Sequence, residues 1–257
     1  MTTPGSFAIR GHTLLPIVQG GMGVGVSAKR LAGAVARAGA MGTIASVDLR
    51  HHHADLSEQA KHCRDRDELN RLNLIALDRE IRAALAIADG RGLIAVNVMK
   101  AVDEHPANVR QACASGAHAI VMGAGLPLDL PELTEGYPDV ALIPILSDAR
   151  GVAIVLKKWA RKGRLPDAIV IEHPLYAGGH LGAPNPADLA NAKFDFTEVL
   201  PGIFKVFDDM GIARTQIPVI VGGGKPFFPE LRDKINLKLV ETRTFGSGVV
   251  MLKYAKV

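Results

Sequence analysis

The stretch Ala168-Ile-Val-Ile-Glu172-His-Pro-Leu-Tyr-Ala177-Gly-Gly-His180-Leu-Gly182 opens on four apolar, mostly β-branched residues. Such a run is too short for a helix. It reads as a strand buried on both faces, which marks a parallel sheet. The strand ends at Glu172, and a loop carrying Gly178 and Gly179 leads to His180. Glycines let a backbone approach a ligand closely because no Cβ intervenes. A histidine at such a point exchanges protons near neutral pH. A plain solvated loop fits this stretch alone equally well, because one short motif does not separate the two.

Working outward, the same kind of strand recurs. Leu14–Gln19, Met41–Val47, Leu93–Met99, Ala119–Gly123, Ala141–Ser147 and Pro218–Gly224 are short apolar runs. Helical patterns stand between most of them: Ala28–Ala38, Leu74–Ala88, Pro106–Ser115, Ala149–Lys162 and Phe196–Met210. Alternation of this kind argues a parallel α/β fold. The strands close on small or polar residues: Gln19, Ser46, Asn97, Gly123, Ser147, Glu172 and Gly222. In a TIM (β/α)8 barrel those ends share one mouth, where the active site lies. Seven strands with polar ends predict a barrel rather than an open sheet.

Gly20-Gly21-Met22-Gly23-Val24-Gly25 follows the first strand, and Ser27 is placed to cap the helix after it. Strand, glycine-rich turn and helix invite a dinucleotide reading. The spacing fails, since after Gly21 and Gly23 position 26 is valine, and no P-loop Lys-Ser/Thr is present. Asp48–Asn73 is polar and holds His51, His52, His53 and His62. Three consecutive side chains do not converge on one ion, and no carboxylate stands at metal-ligand spacing, so no metal site is expected.

The composition restricts the partners. A net charge of +4 is mild and the basic residues are scattered, while aromatics are 5% of the chain, so a nucleic-acid surface is not expected. No run reaches the ~18 apolar residues that span a bilayer, and Met1–Arg10 has no signal-peptide core, so cytoplasmic residence is expected. Cys63 and Cys113 form no CxxC pair. A homo-oligomer is left open.

Taken in order, Pro16-Ile-Val-Gln-Gly-Gly-Met-Gly23, Val96-Asn97-Val98, Ile145-Leu-Ser147, Glu172, Ala177-Gly-Gly-His-Leu-Gly182 and Pro218-Val-Ile-Val-Gly-Gly-Gly224 resemble nitronate monooxygenases. Those are FMN-dependent barrels that oxidise alkyl nitronates with O2. The resemblance runs from about Leu14 to Gly224, and its AGGH element is the most diagnostic part. It implies that Gly21, Met22 and Gly23 lie against the flavin, that Asn97 bonds its ring and that Ser147 lines the pocket. It also implies that Ala177, Gly178 and Gly179 pass close to FMN, with His180 as catalytic base, and that Gly222, Gly223 and Gly224 hold the phosphate. The substrate would be a small nitronate or nitroalkane, with O2. An FMN-dependent enoyl-acyl-carrier-protein reductase is the enzymatic alternative, and a catalytically dead truncated or chimeric barrel is the other.

Residues 225–257 depart from that pattern. They resemble the C-terminal end of dihydrofolate-reductase-like domains of the riboflavin-reductase type, with two alternating runs about Phe245-Gly-Ser-Gly248 that suggest a β-hairpin. The expected organisation is therefore an FMN-binding barrel over 1–224 and an atypical tail that packs on or completes it. Within the tail, Pro226–Asp233 is expected as a short helix and Gly248–Tyr254 as a surrogate eighth strand.

Overall fold

The computed structural model describes residues 6–174, 191–222, 237–244 and 250–256. The chain divides into two compact units, Met1–Gly223 and Gly224–Val257.

The first unit is built on six parallel strands in sequential order: β3 (Met41–Ala45), β4 (Leu93–Met99), β5 (Ala119–Gly123), β6 (Ala141–Leu146), β7 (Ile169–Glu172) and β8 (Val219–Gly222). They are preceded by a hairpin of β1 (Phe7–Ile9) and β2 (His12–Leu14). Its turn residues Arg10 and Gly11 both have positive φ, +49° and +79°, as a tight primed turn needs. The main helices are α1 (Lys29–Arg37), α2 (Ala54–Ala60), α3 (Arg66–Ala88), α4 (His105–Ala114), α5 (Leu130–Leu133), α6 (Ala149–Ala160) and α7 (Phe196–Asp209).

Strand alternation separates two cores. Ile44, Ile94, Val96, Ile120, Leu142 and Ile169 face the helices and pack with Leu77, Trp159 and Phe207. Met41, Leu93, Ala95, Ala119, Val121, Ile143 and Val170 fill the interior of the curled sheet. Ile9 and Leu14 join that interior cluster, so the β1–β2 hairpin plugs the end where the strands begin. Most of the stability of this unit comes from these two apolar layers, because burial removes roughly 25 cal/mol per Å² of apolar surface from water.

The sheet is curled but not closed. Residues 15–19 run beside β3, with Leu15 N donating to Gly39 O, Met41 N to Ile17 O and Gln19 N to Met41 O. Their ladder is a single parallel bridge, Val18 to Met41, rather than the full strand expected over Leu14–Gln19. Pro16 has no N–H to give and confines the segment to an edge. One cleft of about 580 Å³ is lined by Pro16, Ile17 and Val18 on one wall and by Val219, Ile220 and Val221 on the other. The first and last strands thus face one another across an open seam. Ile17 is 56% exposed and Val221 50%, as the edges of an incomplete barrel require.

The second unit contains β9 (Leu237–Thr244) and β10 (Val250–Lys256), paired antiparallel in a two-stranded sheet of their own. The hairpin is present. The surrogate eighth strand is not: Val250–Lys256 pairs with Leu237–Thr244 and joins no parallel ladder among the described residues. The sequence of these strands carries Lys238, Glu241, Arg243 and Lys253, whereas a parallel barrel strand reads as a continuous apolar run. Pro226–Asp233 lies outside the described residues.

Two helix starts differ from expectation. The helix expected from Leu74 begins at Arg66, because Asp65 caps it by accepting from Asp67 N at 2.9 Å and Glu68 N at 3.4 Å. Ser27 does not cap α1. The Ncap is Ala28, and the N-terminus of α1 is met by Glu80 of α3, which accepts from Lys29 N and Lys29 Nζ, both at 2.7 Å. An anion there answers the partial positive charge of the helix end.

Candidate active site

The parallel strands bring their C-terminal ends to one mouth. Asn97, one residue pair before the end of β4, projects into the barrel interior with Leu93 and Ala95. It is 7% exposed, yet its side-chain amide has no hydrogen-bond partner among the described residues. Its amide atoms are not among the fully buried ones, so they remain open to water or a ligand at the mouth. Gly21 lies flat on it: a Cβ added at Gly21 would stand 2.4 Å from Asn97 Cβ and 2.9 Å from Cγ. Only a glycine lets the loop come this close.

The glycine-rich loop is held from below. Gln19 Oε1 accepts from Thr43 N at 3.0 Å and Gln19 Nε2 donates to Thr43 O at 3.2 Å, so its amide continues the ladder where the backbone does not. Buried Ser27 accepts from Met22 N at 2.9 Å and from Gln19 Nε2 at 2.9 Å, and donates to Gly20 O at 3.1 Å. The hydroxyl read from sequence as a helix cap is therefore a loop anchor. Above this anchor Met22 is 44% exposed and Val24 51%, an apolar surface beside the bare backbone of Gly21. Thr43 Oγ1, buried beneath, has no hydrogen-bond partner among the described residues.

On the other side of the mouth, Gly222 ends β8 against β7. A Cβ there would meet Val170 Cγ1 at 2.9 Å and Glu172 Cγ at 3.0 Å. Ser147 follows β6 at the same rim, half-buried, beside Asp148, whose carboxylate accepts from Gly151 N at 2.6 Å and caps α6. Gly21, Met22, Gly23, Asn97, Ser147 and Gly222 are thus all at strand ends of one mouth. Ala177, Gly178, Gly179, His180, Gly223 and Gly224 lie outside the described residues.

The structure adds groups that the sequence did not single out. His173, buried next to Glu172, reaches Asp195 Oδ1 at 3.3 Å and packs edge-on against Phe196. Lys100, just after β4, donates to Asp129 at 2.7 Å and 2.8 Å and lies 2.7 Å from His105 Nε2. His105 Nδ1 is 2.8 Å from Val102 O, which makes Nδ1 the donor and leaves Nε2 to accept from Lys100. Burial alone would raise the Asp129 carboxyl, but its bonds to Lys100 and the backbone outweigh that and hold it below the ordinary range. The histidine run separates: His53 turns inward, 3.0 Å from Glu80 Oε1 though not aligned for a hydrogen bond, while His52 packs on Gly25. Cys113 is pushed up to about 11 by burial, which leaves it a protonated thiol at neutral pH.

The family model for nitronate monooxygenase matches residues 7–226. The chain belongs to that family. A nitroalkane oxidase from Streptomyces ansochromogenes superposes with a TM-score of 0.54 at 16% identity, over 80% of this chain and 57% of that one. A point mutant of FabK from Thermotoga maritima gives 0.50 at 17% identity, over 80% of this chain and 52% of that one. At these identities the likeness shows the fold. The uncharacterized protein YyaP of Bacillus subtilis (strain 168) is 57% identical over 37 residues, 14% of this chain and 20% of that protein. The chain spans little more than half the length of these solved structures. Among the described residues, no helix is long and apolar enough to cross a membrane.

Proposed function

We propose that this chain binds FMN at the barrel mouth and oxidises alkyl nitronates, or nitroalkanes, with O2. The observation that carries the reading is the pairing of a bare glycine backbone, Gly21, with the side-chain amide of Asn97, which has no hydrogen-bond partner among the described residues and stays accessible at the mouth. A planar ring system needs such a surface: small residues for close approach and a few polar groups at its edge. The exposed side chains of Met22 and Val24 supply apolar area beside it.

In this reading Gly21, Met22 and Gly23 form the bed, and the amide of Asn97 meets the ring edge. Ser147 lines the substrate side, and Ala177, Gly178 and Gly179 border the pocket. Gly222, Gly223 and Gly224 present backbone amides to the phosphate, as the loops after strands seven and eight of such barrels do. FMN bound there supplies the two-electron oxidation and the reaction with O2. The protein's own chemistry is a proton transfer. As neutral imidazole, His180 removes the proton from the carbon bearing the nitro group, leaving the nitronate anion beside the imidazolium it has become. A nitronate substrate arrives without that proton, and the imidazolium then serves to hold the anion.

The test is His180→Asn assayed on both substrate forms. General-base catalysis contributes ~10²–10⁴-fold, so nitroalkane turnover should fall by that order while nitronate turnover falls far less. Equal losses on both would remove His180 from the base role. The FMN-dependent enoyl-acyl-carrier-protein reductase reading rests on the fold likeness to FabK. Consumption of NAD(P)H with an enoyl thioester, and none of nitronate, would favour it. A folded protein without flavin would favour a catalytically dead barrel.

A further inference from the structure

The open seam of the first unit has two walls of one kind. Residues 15–19 form one and β8 forms the other, around the cleft of about 580 Å³. The hydrogen bonds behind each wall fix which backbone groups look into it. On the first wall, Ile17 O accepts from Met41 N at 3.2 Å and Gln19 N donates to Met41 O at 2.9 Å. Val18 is the bridging residue between those two bonds. In a parallel pair such a residue turns its own N–H and C=O away from its partner. On the second wall, Pro218 O accepts from Ile169 N at 2.9 Å, and Ile169 and Ile171 stand opposite Val219 and Val221. The same alternation turns the N–H and C=O of Val219 and Val221 away from β7 and into the seam. Among the described residues nothing pairs with these three N–H and three C=O groups.

The side chains follow the same alternation. Val18 and Ile220 are half-buried and pack with Phe7 on the interior core. Ile17 and Val221 stand exposed on the outer side of the same edges. Each wall is therefore half of a strand pairing, apolar on both faces with backbone groups between. An apolar small molecule would cover these side chains, yet it would strip water from the backbone groups and return no bond to them. The edge of another sheet would pair with one wall only, because its other side already belongs to its own neighbour. A single strand, free on both sides, meets both walls.

We infer that this seam binds an extended segment of another polypeptide, apolar on both faces, which enters as a strand between residues 15–19 and β8. Both walls run in the same direction, so the segment lies parallel to each. Its inward side chains rest on Phe7, Val18 and Ile220, and its outward ones on Ile17 and Val221. Main-chain bonds supply the affinity of such strand addition, and alternate side chains supply its selectivity. The inference does not rest on the flavin reading and stands whether or not FMN binds.

The probe is a peptide with the β5 sequence, Ala119–Gly123, flanked by a lysine at each end for solubility. In the fold that sequence is buried throughout and paired in parallel on both sides, by β4 and β6. The full chain is titrated with the peptide and followed by isotope-edited NMR. Saturable shifts of the Val18, Val219 and Val221 amides are expected. The same peptide N-methylated at its adjacent isoleucine and valine loses one donor toward each wall, whichever way its faces are turned. At about fivefold for each bond lost, it should bind about 25-fold more weakly. Val221→Pro removes an N–H that carries no ladder bond, at an edge position that tolerates proline. That variant should fold like the parent and bind the unmodified peptide about fivefold more weakly. Absence of saturable shifts up to about 1 mM peptide would overturn the inference, as would shifts confined to other residues. Equal binding of the N-methylated peptide would also overturn it, because the cleft would then take apolar matter of any kind. That comparison uses the unaltered protein, so it decides the matter even if Val221→Pro does not fold.

Discussion

Replacing Gly21 with alanine places a methyl group where none fits. Its carbon would stand 2.4 Å from Asn97 Cβ, against the ~3.5–4.0 Å at which two carbons rest. More than an ångström of overlap must be relieved, either by moving the loop or by displacing β4. β4 is the stiffer of the two, being paired on both sides by β3 and β5. Overpacking of this kind costs about 1–3 kcal/mol. For a unit spanning Met1–Gly223, each kcal/mol lowers the midpoint by about 2–4 °C, so the expected drop is about 2–12 °C by calorimetry. Gly20→Ala is the matched control, because a Cβ there meets nothing within 4 Å; its change should stay within about 0.5 kcal/mol. Adding Asn97→Gly should return most of the loss, as a double-mutant cycle between touching residues does. If Gly21→Ala and Gly20→Ala melt alike, the close approach of the loop to Asn97 is wrong.

Three further outcomes follow from the same structure. His118 accepts from Ile94 N at 3.0 Å through Nδ1, and burial, with the nearby His12, depresses its basicity; the unfolded chain then binds the extra proton first. Stability should be complete above about pH 6.5 and fall as pH drops through the depressed value, by at most about 1.4 kcal/mol per pH unit, and His118→Asn should flatten that slope in urea melts. Glu80→Ala should cost about 3 kcal/mol, the low end for a broken buried pair because Lys29 is partly solvated, measured by chemical denaturation. Ile17→Lys with Val221→Lys should reduce light scattering at high protein concentration while stability stays within about 0.5 kcal/mol, since both side chains stand exposed on sheet edges.

How far the sequence could be read follows from what each element depends on. β4 and β5 are apolar, β-branched runs bounded by glycine or polar residues, and pattern alone delimits them. The start of α3 was hidden because Arg66–Arg71 belongs to its polar face, so no apolar period announces it. The first barrel strand was overread, since its apolar run contains Pro16 and only one bridge forms. At the mouth, Asn97 and Gly21 stood out as a polar residue in an apolar strand and as a glycine in a clustered loop. The contact between them was not legible, because 76 positions separate them (97 minus 21) and only the curled sheet joins them. The same holds for the Lys29–Glu80 cap, which joins the start of α1 to the middle of α3. The tail's alternation gave a hairpin, but its partners depend on long-range pairing that a pattern of period two does not specify.

The central claim is that the mouth carrying Gly21 and Asn97 holds FMN, and the flavin content of the purified, folded protein tests it most directly. The protein is denatured, and the released cofactor is separated by chromatography and quantified against protein. The account predicts FMN, retained in the parent and depleted in Gly21→Ala. FAD in its place, or a well-folded protein that neither carries FMN nor takes it up when it is supplied, would contradict it.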